Sequence, residues 1–186
     1  MSKDIKQLKA EHNEFLLAYA HAILSWQHVE KTLFQIFALV IRSTQYNALS
    51  ASFHSIINTN ARLDVVDAAL RSVFNDGSDE IKEWTPLRKR IRKHAGRRNA
   101  MAHGMLTMHT DSSPFPASVP PDTTYLRRSF QDALASTDEE FDLKKIKESQ
   151  ELFTMLTMDL IEFTNKLWAK FGHDFVNLSN KKSVGK

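Results

Sequence analysis

Trp84 to Gly104 reads WTPLRKRIRKHAGRRNAMAHG, and this stretch decides how the chain is read. At the helical step of about 100° per residue, Trp84, Leu87, Ile91, Ala95, Arg98 and Ala102 fall on one face. The period predicts a long helix with a buried stripe, and Arg98 stands where an apolar residue belongs. A guanidinium cannot shed its charge on burial, so Arg98 must reach a carboxylate, a phosphate or a water-filled cleft. Asn99 and His103 are four residues apart on a neighbouring face, close enough for the amide to set which imidazole nitrogen carries the proton. Gly104 is expected to end the helix in the left-handed cap that glycine enters without steric cost.

Outward from this helix, the same period recurs. A first helix is predicted from about Lys9 to Arg42, with Phe15, Tyr19, Ile23, Trp26, Leu33, Phe37 and Val40 on its stripe. Glu30 lies inside that stripe and needs a cation. Arg98 is the inferred partner, since two opposite charges on apolar stripes explain each other; the alternative is that Glu30 turns to solvent. A second helix is predicted from about Ala48 to Phe74, with Phe53, Ile56, Ile57, Leu63, Val66, Leu70 and Val73 inward, stopping at Asn75-Asp76-Gly77. Ser78 or Asp79 can cap the third, which reaches His103.

After Gly104 the pattern changes. Leu106 to His109 alternates, Thr123 to Leu126 is β-prone, and Pro114, Pro116, Pro120 and Pro121 lie between, which predicts a short hairpin with a long tip. The last helix is predicted from about Asp138 to Phe171, with Phe141, Ile146, Leu152, Phe153, Leu156, Leu160, Phe163, Leu167 and Trp168 on its apolar side. The expected fold is all-α, a bundle of four to five long helices with a short β-hairpin insertion after the third long helix. A single domain is expected over residues 1–186, with a hairpin and Pro-rich insertion at 105–130 and a flexible tail at 180–186.

Composition narrows the chemistry. The chain has 186 residues, 42% of them hydrophobic, and no cysteine, which removes disulfides, zinc knuckles and thiol catalysis. The charged N-terminal stretch is unlike a signal peptide and no apolar run spans a membrane, so a cytoplasmic location and no membrane partner are expected. His12, His21, His28, His54, His109 and His173 show no metal-ligand spacing with acids, so no metal and no cofactor are expected. Walker, dinucleotide and Gly-x-Ser-x-Gly signatures are missing. A net charge of +3 is mild. Affinity for nucleic acid must therefore come from clustering, and Arg88, Lys89, Arg90, Arg92, Lys93, Arg97 and Arg98 crowd into three turns. They suit a phosphate backbone, or a solvated face paired with acids such as Asp138, Glu139 and Glu140.

The string Arg98-Asn99-Ala100-Met101-Ala102-His103, followed by Gly104, resembles the signature of the HEPN superfamily, small all-helical domains many of which are metal-independent ribonucleases. The predicted helical layout is similar as well. The resemblance implies a homodimer with a composite active site that acts on RNA and leaves 2′,3′-cyclic phosphate ends. It assigns His103 as acid/base, Arg98 as phosphate clamp, and Asn99 as the residue that orients His103 or contacts phosphate. Glu30 is then a supporting residue, and Arg97, Lys93, Arg127 and Arg128 are candidates for substrate binding, although a solvated strand face suits the last two equally. A toxin or phage-defence role, with an antitoxin or regulatory protein as further partner, is what the family often serves. One large toxin branch has a tyrosine two residues after the His; this chain has Met105, which argues against that branch's nucleotidyltransferase antitoxin. The rival readings are a non-catalytic HEPN-like module that binds RNA, nucleotide or a partner protein, and an unrelated helical regulatory protein.

Overall fold

The structure, a computed structural model, describes residues 4–109, 123–127 and 140–181, with side chains to 107, from 123 to 127 and from 140 to 171. It is an all-α bundle of long helices with a small hairpin. The order is α1 (Ile5–Ile41), α2 (Tyr46–Ser55), α3 (Thr59–Val73), α4 (Asp79–Ala102), β1 (Met105–His109), β2 (Thr123–Arg127) and α5 (Leu143–Lys181). Among the described residues, no helix is long and apolar enough to cross a membrane.

The hairpin follows the fourth helix rather than the third, because the predicted second helix is two. Asn58 breaks it: its side chain accepts from the Asn60 backbone N–H at 2.7 Å and caps α3. Arg62 closes the other side of the break by donating to the Ile56 carbonyl at 2.7 Å and the His54 carbonyl at 3.3 Å. The phase slip removes Ile57 from the core, where it was expected, and leaves it 95% exposed. Val73 is likewise exposed.

Ser78 caps α4 as one of the two expected candidates, its hydroxyl accepting from the Ile81 N–H at 3.3 Å. The boundaries of the last helix moved. Asp142 caps α5, accepting from the Lys145 N–H at 2.8 Å. Phe141 therefore lies outside the helix expected to contain it, and pairs with Leu126 of β2 through backbone bonds of 3.0 and 2.9 Å. At the other end α5 continues to Lys181, past the predicted end at Phe171 and into the expected tail, of which 182–186 lie outside the described residues. The Pro-rich tip, residues 110–122, also lies outside them.

The chain divides into two compact units, Met1–Trp26 with His94–Thr154, and Gln27–Lys93 with Met155–Lys186. In the first, Phe15, Ala22 and Trp26 of α1, Ala95 and Met101 of α4, Leu126 and Phe141, and Ile146 and Phe153 of α5 are buried. Trp26 meets Phe153 edge-on at 5.0 Å between ring centroids. The strands pair antiparallel with Met105 opposite Arg127 and His109 opposite Thr123. In the second unit, Leu33, Phe53, Leu63, Leu70, Trp84, Ile91, Leu160 and Phe163 are buried, and Trp84 stacks on Phe163 at 5.9 Å.

Candidate active site

The last two turns of α4 belong to the first unit, and its packing holds them from both sides. Met101 is fully buried, and its carbonyl accepts from the Tyr19 hydroxyl of α1 at 3.4 Å. The buried stripe thus passes through Met101, whereas Ala102, expected to carry it, is exposed. His103 donates its backbone N–H to the Asn99 carbonyl at 3.0 Å, and Gly104 donates to the Met101 carbonyl at 3.3 Å, which tightens the helix end.

Gly104 is needed there for a reason other than the expected left-handed cap. No described glycine has positive φ. A Cβ at position 104 would instead lie 3.2 Å from both Leu126 Cβ and the Ala100 carbonyl oxygen. The absent side chain lets the hairpin approach the helix end. His103 is consequently presented at a closely packed corner, with its own side chain exposed.

Arg98 is half-buried. Its Nε is enclosed without a hydrogen-bond partner, and Nη1 donates to Asn99 Oδ1 at 3.1 Å. Among the described residues the guanidinium meets no carboxylate, so its charge has only a neutral amide beside it. Asn99 is exposed and engages Arg98 where His103 was expected; the imidazole of His103 makes no hydrogen bond among the described residues. The cation opposite Glu30 is Arg62, not Arg98: Arg62 Nη1 stands 3.5 Å from Glu30 Oε2, and Thr59 donates to Oε1 at 3.0 Å. Arg62 escaped notice in the sequence because it lies off the apolar face of its own helix.

The other predicted contacts divide. Arg97 is bound into the first unit, donating to the Lys145 carbonyl at 3.4 Å and lying 3.7 Å from Glu148 and 5.8 Å from the Phe141 ring centre. Arg127 hydrogen-bonds the Tyr125 hydroxyl. Burial, and then the charge of Glu140, push the Tyr125 hydroxyl above the usual tyrosine pKa. The burial of Tyr125 beside Glu140 was not foreseen in the sequence, where Glu140 stood only as an acid for the basic face of α4, since a buried Tyr and Glu beside a Pro-rich stretch carry no periodic signal. Arg128 lies outside the described residues. Lys93 is exposed in the second unit, and like Lys89 makes no ion pair among the described residues.

The remaining cations of α4 are paired. Arg88 reaches Asp64 at 2.7 Å and Asp67 at 3.0 Å, Arg92 also holds Asp64, and Arg90 holds Asp159. The Arg88 hydrogen bond keeps the Asp64 carboxyl below the usual carboxylate range, with the Arg92 charge adding to it. Of the acids considered from the sequence, Asp138 and Glu139 lie outside the described residues. Glu140 is buried, and its backbone carbonyl accepts from Lys145 Nζ at 2.7 Å.

Among the described residues no three His, Asp or Glu side chains converge on a point that an ion could occupy. The arrangement at the end of α4 offers a cation without a counter-charge, an amide that holds it, and an exposed imidazole five residues further along the chain. Those groups can bind a phosphate and move a proton. Compared with models of known families, with curated proteins and with solved structures, the chain matches none.

Proposed function

We propose that the protein is a metal-independent endoribonuclease of HEPN type, acting as a homodimer with a composite active site. The observation that carries this reading is Arg98: a half-buried guanidinium with a neutral amide as its partner, five residues before an exposed histidine. Such a cation is electrostatically incomplete and suits a phosphate ligand.

In the reaction, His103 takes the proton from a ribose 2′-hydroxyl and the 2′-oxygen attacks the adjacent phosphorus. The bond to the 5′-oxygen breaks as that oxygen receives a proton, leaving a 2′,3′-cyclic phosphate and a free 5′-hydroxyl. One imidazole is poorly suited to be base and acid in the same step. A two-fold dimer resolves this, with the partner subunit's His103 as the acid. Arg98 stabilises the charge that builds on the phosphorane, and Asn99 holds the guanidinium in place. A toxin or phage-defence role, restrained by an antitoxin or regulatory protein, fits an enzyme of this kind.

The pairing within α4 bounds how the substrate is held. Of the seven cations from Arg88 to Arg98, Arg88, Arg90, Arg92 and Arg97 face carboxylates. Binding through the remaining three gives a slope of log K against log salt of about −2 for single-stranded RNA, against about −5 if all seven took part.

The test is cleavage of a mixed set of labelled RNAs in excess chelator, by the wild-type protein and His103→Ala side by side. The expected result is cutting that survives chelator, leaves 2′,3′-cyclic ends and falls at least about a hundredfold in the variant. RNA left intact by both proteins, while both retain it in a low-salt shift assay, would replace this reading with the non-catalytic binding module.

A further inference from the structure

The second unit holds a cavity of about 320 Å³ that the ribonuclease reading does not use. It lies at the turn from α1 into α2, where α5 contributes Trp168. Leu39 and Leu49 give it an aliphatic lining, Tyr46 and Trp168 give it aromatic walls, and Gln35 and Ser43 are its polar members. Tyr46 is 58% exposed and Trp168 48%, an unusual display for two large aromatic side chains in one small site. The Tyr46 ring is held edge-on by Phe34 at 5.4 Å, so the wall it forms is fixed by packing.

The chemistry of the lining selects a ligand class. None of the lining residues is charged. The nearest cation in sequence, Arg42, is engaged elsewhere, its guanidinium lying 4.2 Å from the ring centre of Phe171. An anionic ligand would therefore lose hydration without gaining a charged partner. Ser43 Oγ accepts from the Gln45 N–H at 3.1 Å, which leaves its own O–H to donate. The Gln35 amide makes no hydrogen bond among the described residues and can donate and accept at once. The volume lies at the lower end of small-molecule sites, which are about 300–1,000 Å³.

We infer that this cavity binds a neutral, planar, two-ring heterocycle with hydrogen-bond acceptors on its edge, stacked against Tyr46 and Trp168. The inference does not depend on the ribonuclease reading. Trp26 and Trp84 are fully buried, so Trp168 is the tryptophan whose emission answers to solvent and ligand.

The test is titration of the full-length protein with caffeine, a neutral bicyclic probe, followed by tryptophan emission. The expected result is saturable quenching that weakens at least about tenfold in Tyr46→Ala and disappears in Leu49→Phe, which fills the cavity, while Arg98→Met leaves it unchanged. Quenching that rises linearly and equally in wild type and both variants would be collisional and would overturn the inference. Emission that shifts with protein concentration alone would overturn it too, by making the cavity a contact between copies.

Discussion

Two stretches of one helix use the same residue type in opposite ways. From Arg88 to Arg92 every arginine of α4 holds at least one carboxylate, and Asp67 alone takes the Trp84 Nε1–H at 2.9 Å, Arg71 at 3.1 Å and Arg88 at 3.0 Å. Two turns later Arg98 has only Asn99, and His103 stands exposed. An arginine whose charge is matched within its own fold has a structural task. One whose charge is left unmatched retains the capacity to hold an anion. A dense basic run in a sequence is therefore two kinds of residue, arginines matched within the fold and, in Arg98, one that is not.

That contrast can be broken first at Asp67. Replacing it by alanine leaves the buried Trp84 Nε1–H without its acceptor and Arg88 with Asp64 alone, and is expected to cost about 1–3 kcal/mol, read as a fall in midpoint temperature. An Asp67→Ala protein that melts like the wild type would end the structural reading of the middle stretch. Gly104→Ala comes next. The new methyl would meet Leu126, which cannot retreat freely because Phe141 pairs with its backbone. The expected cost is about 1 kcal/mol after allowing for the lower entropy of the unfolded alanine chain, and a gain on denaturant titration would contradict the close approach.

Arg98→Met should act with the opposite sign on stability. It removes an enclosed Nε that has no acceptor, so the protein is expected to gain up to about 1 kcal/mol by chemical denaturation. A loss of stability would show that Arg98 is already a structural cation like its neighbours.

The smallest effects are in pH. Tyr125 has a raised pKa in the fold, so stability is unaffected below the ordinary tyrosine range and falls as pH rises from about 10 towards the raised value. Asp64 has a lowered one, so its contribution is present above the ordinary carboxylate range and is lost as pH falls below about 4. Tyr125→Phe should flatten only the alkaline limb of a midpoint-temperature profile, and Asp64→Asn only the acid limb.

Much of this was legible in the residues. The stripe of Trp84, Leu87, Ile91 and Ala95 is buried as its period requires, and the hairpin pairs where the alternation places it. The break at Asn58 was hidden because apolar residues continue across it, and a cap depends on one side-chain hydrogen bond that periodicity does not report. The partners of Glu30 and of the α4 arginines were hidden for a related reason. Asp64, Asp67 and Arg62 lie on α3, and which charges meet across two helices depends on the relative rotation of their faces. Arg98, Asn99 and His103 share one helix end as their spacing places them, but which of them touch was not legible, since Asn99 engages Arg98 and not His103.

The most direct measurement sets Arg98→Met beside Arg92→Met in the chelator-resistant RNA cleavage assay, with both proteins shown to be folded by their melting curves. The expected outcome is a loss of at least about a hundredfold for Arg98→Met and a change within about threefold for Arg92→Met, whose guanidinium is matched by Asp64. Equal losses in the two variants would mean that the helix acts as one undivided basic face, and would contradict the distinction between its middle and its end.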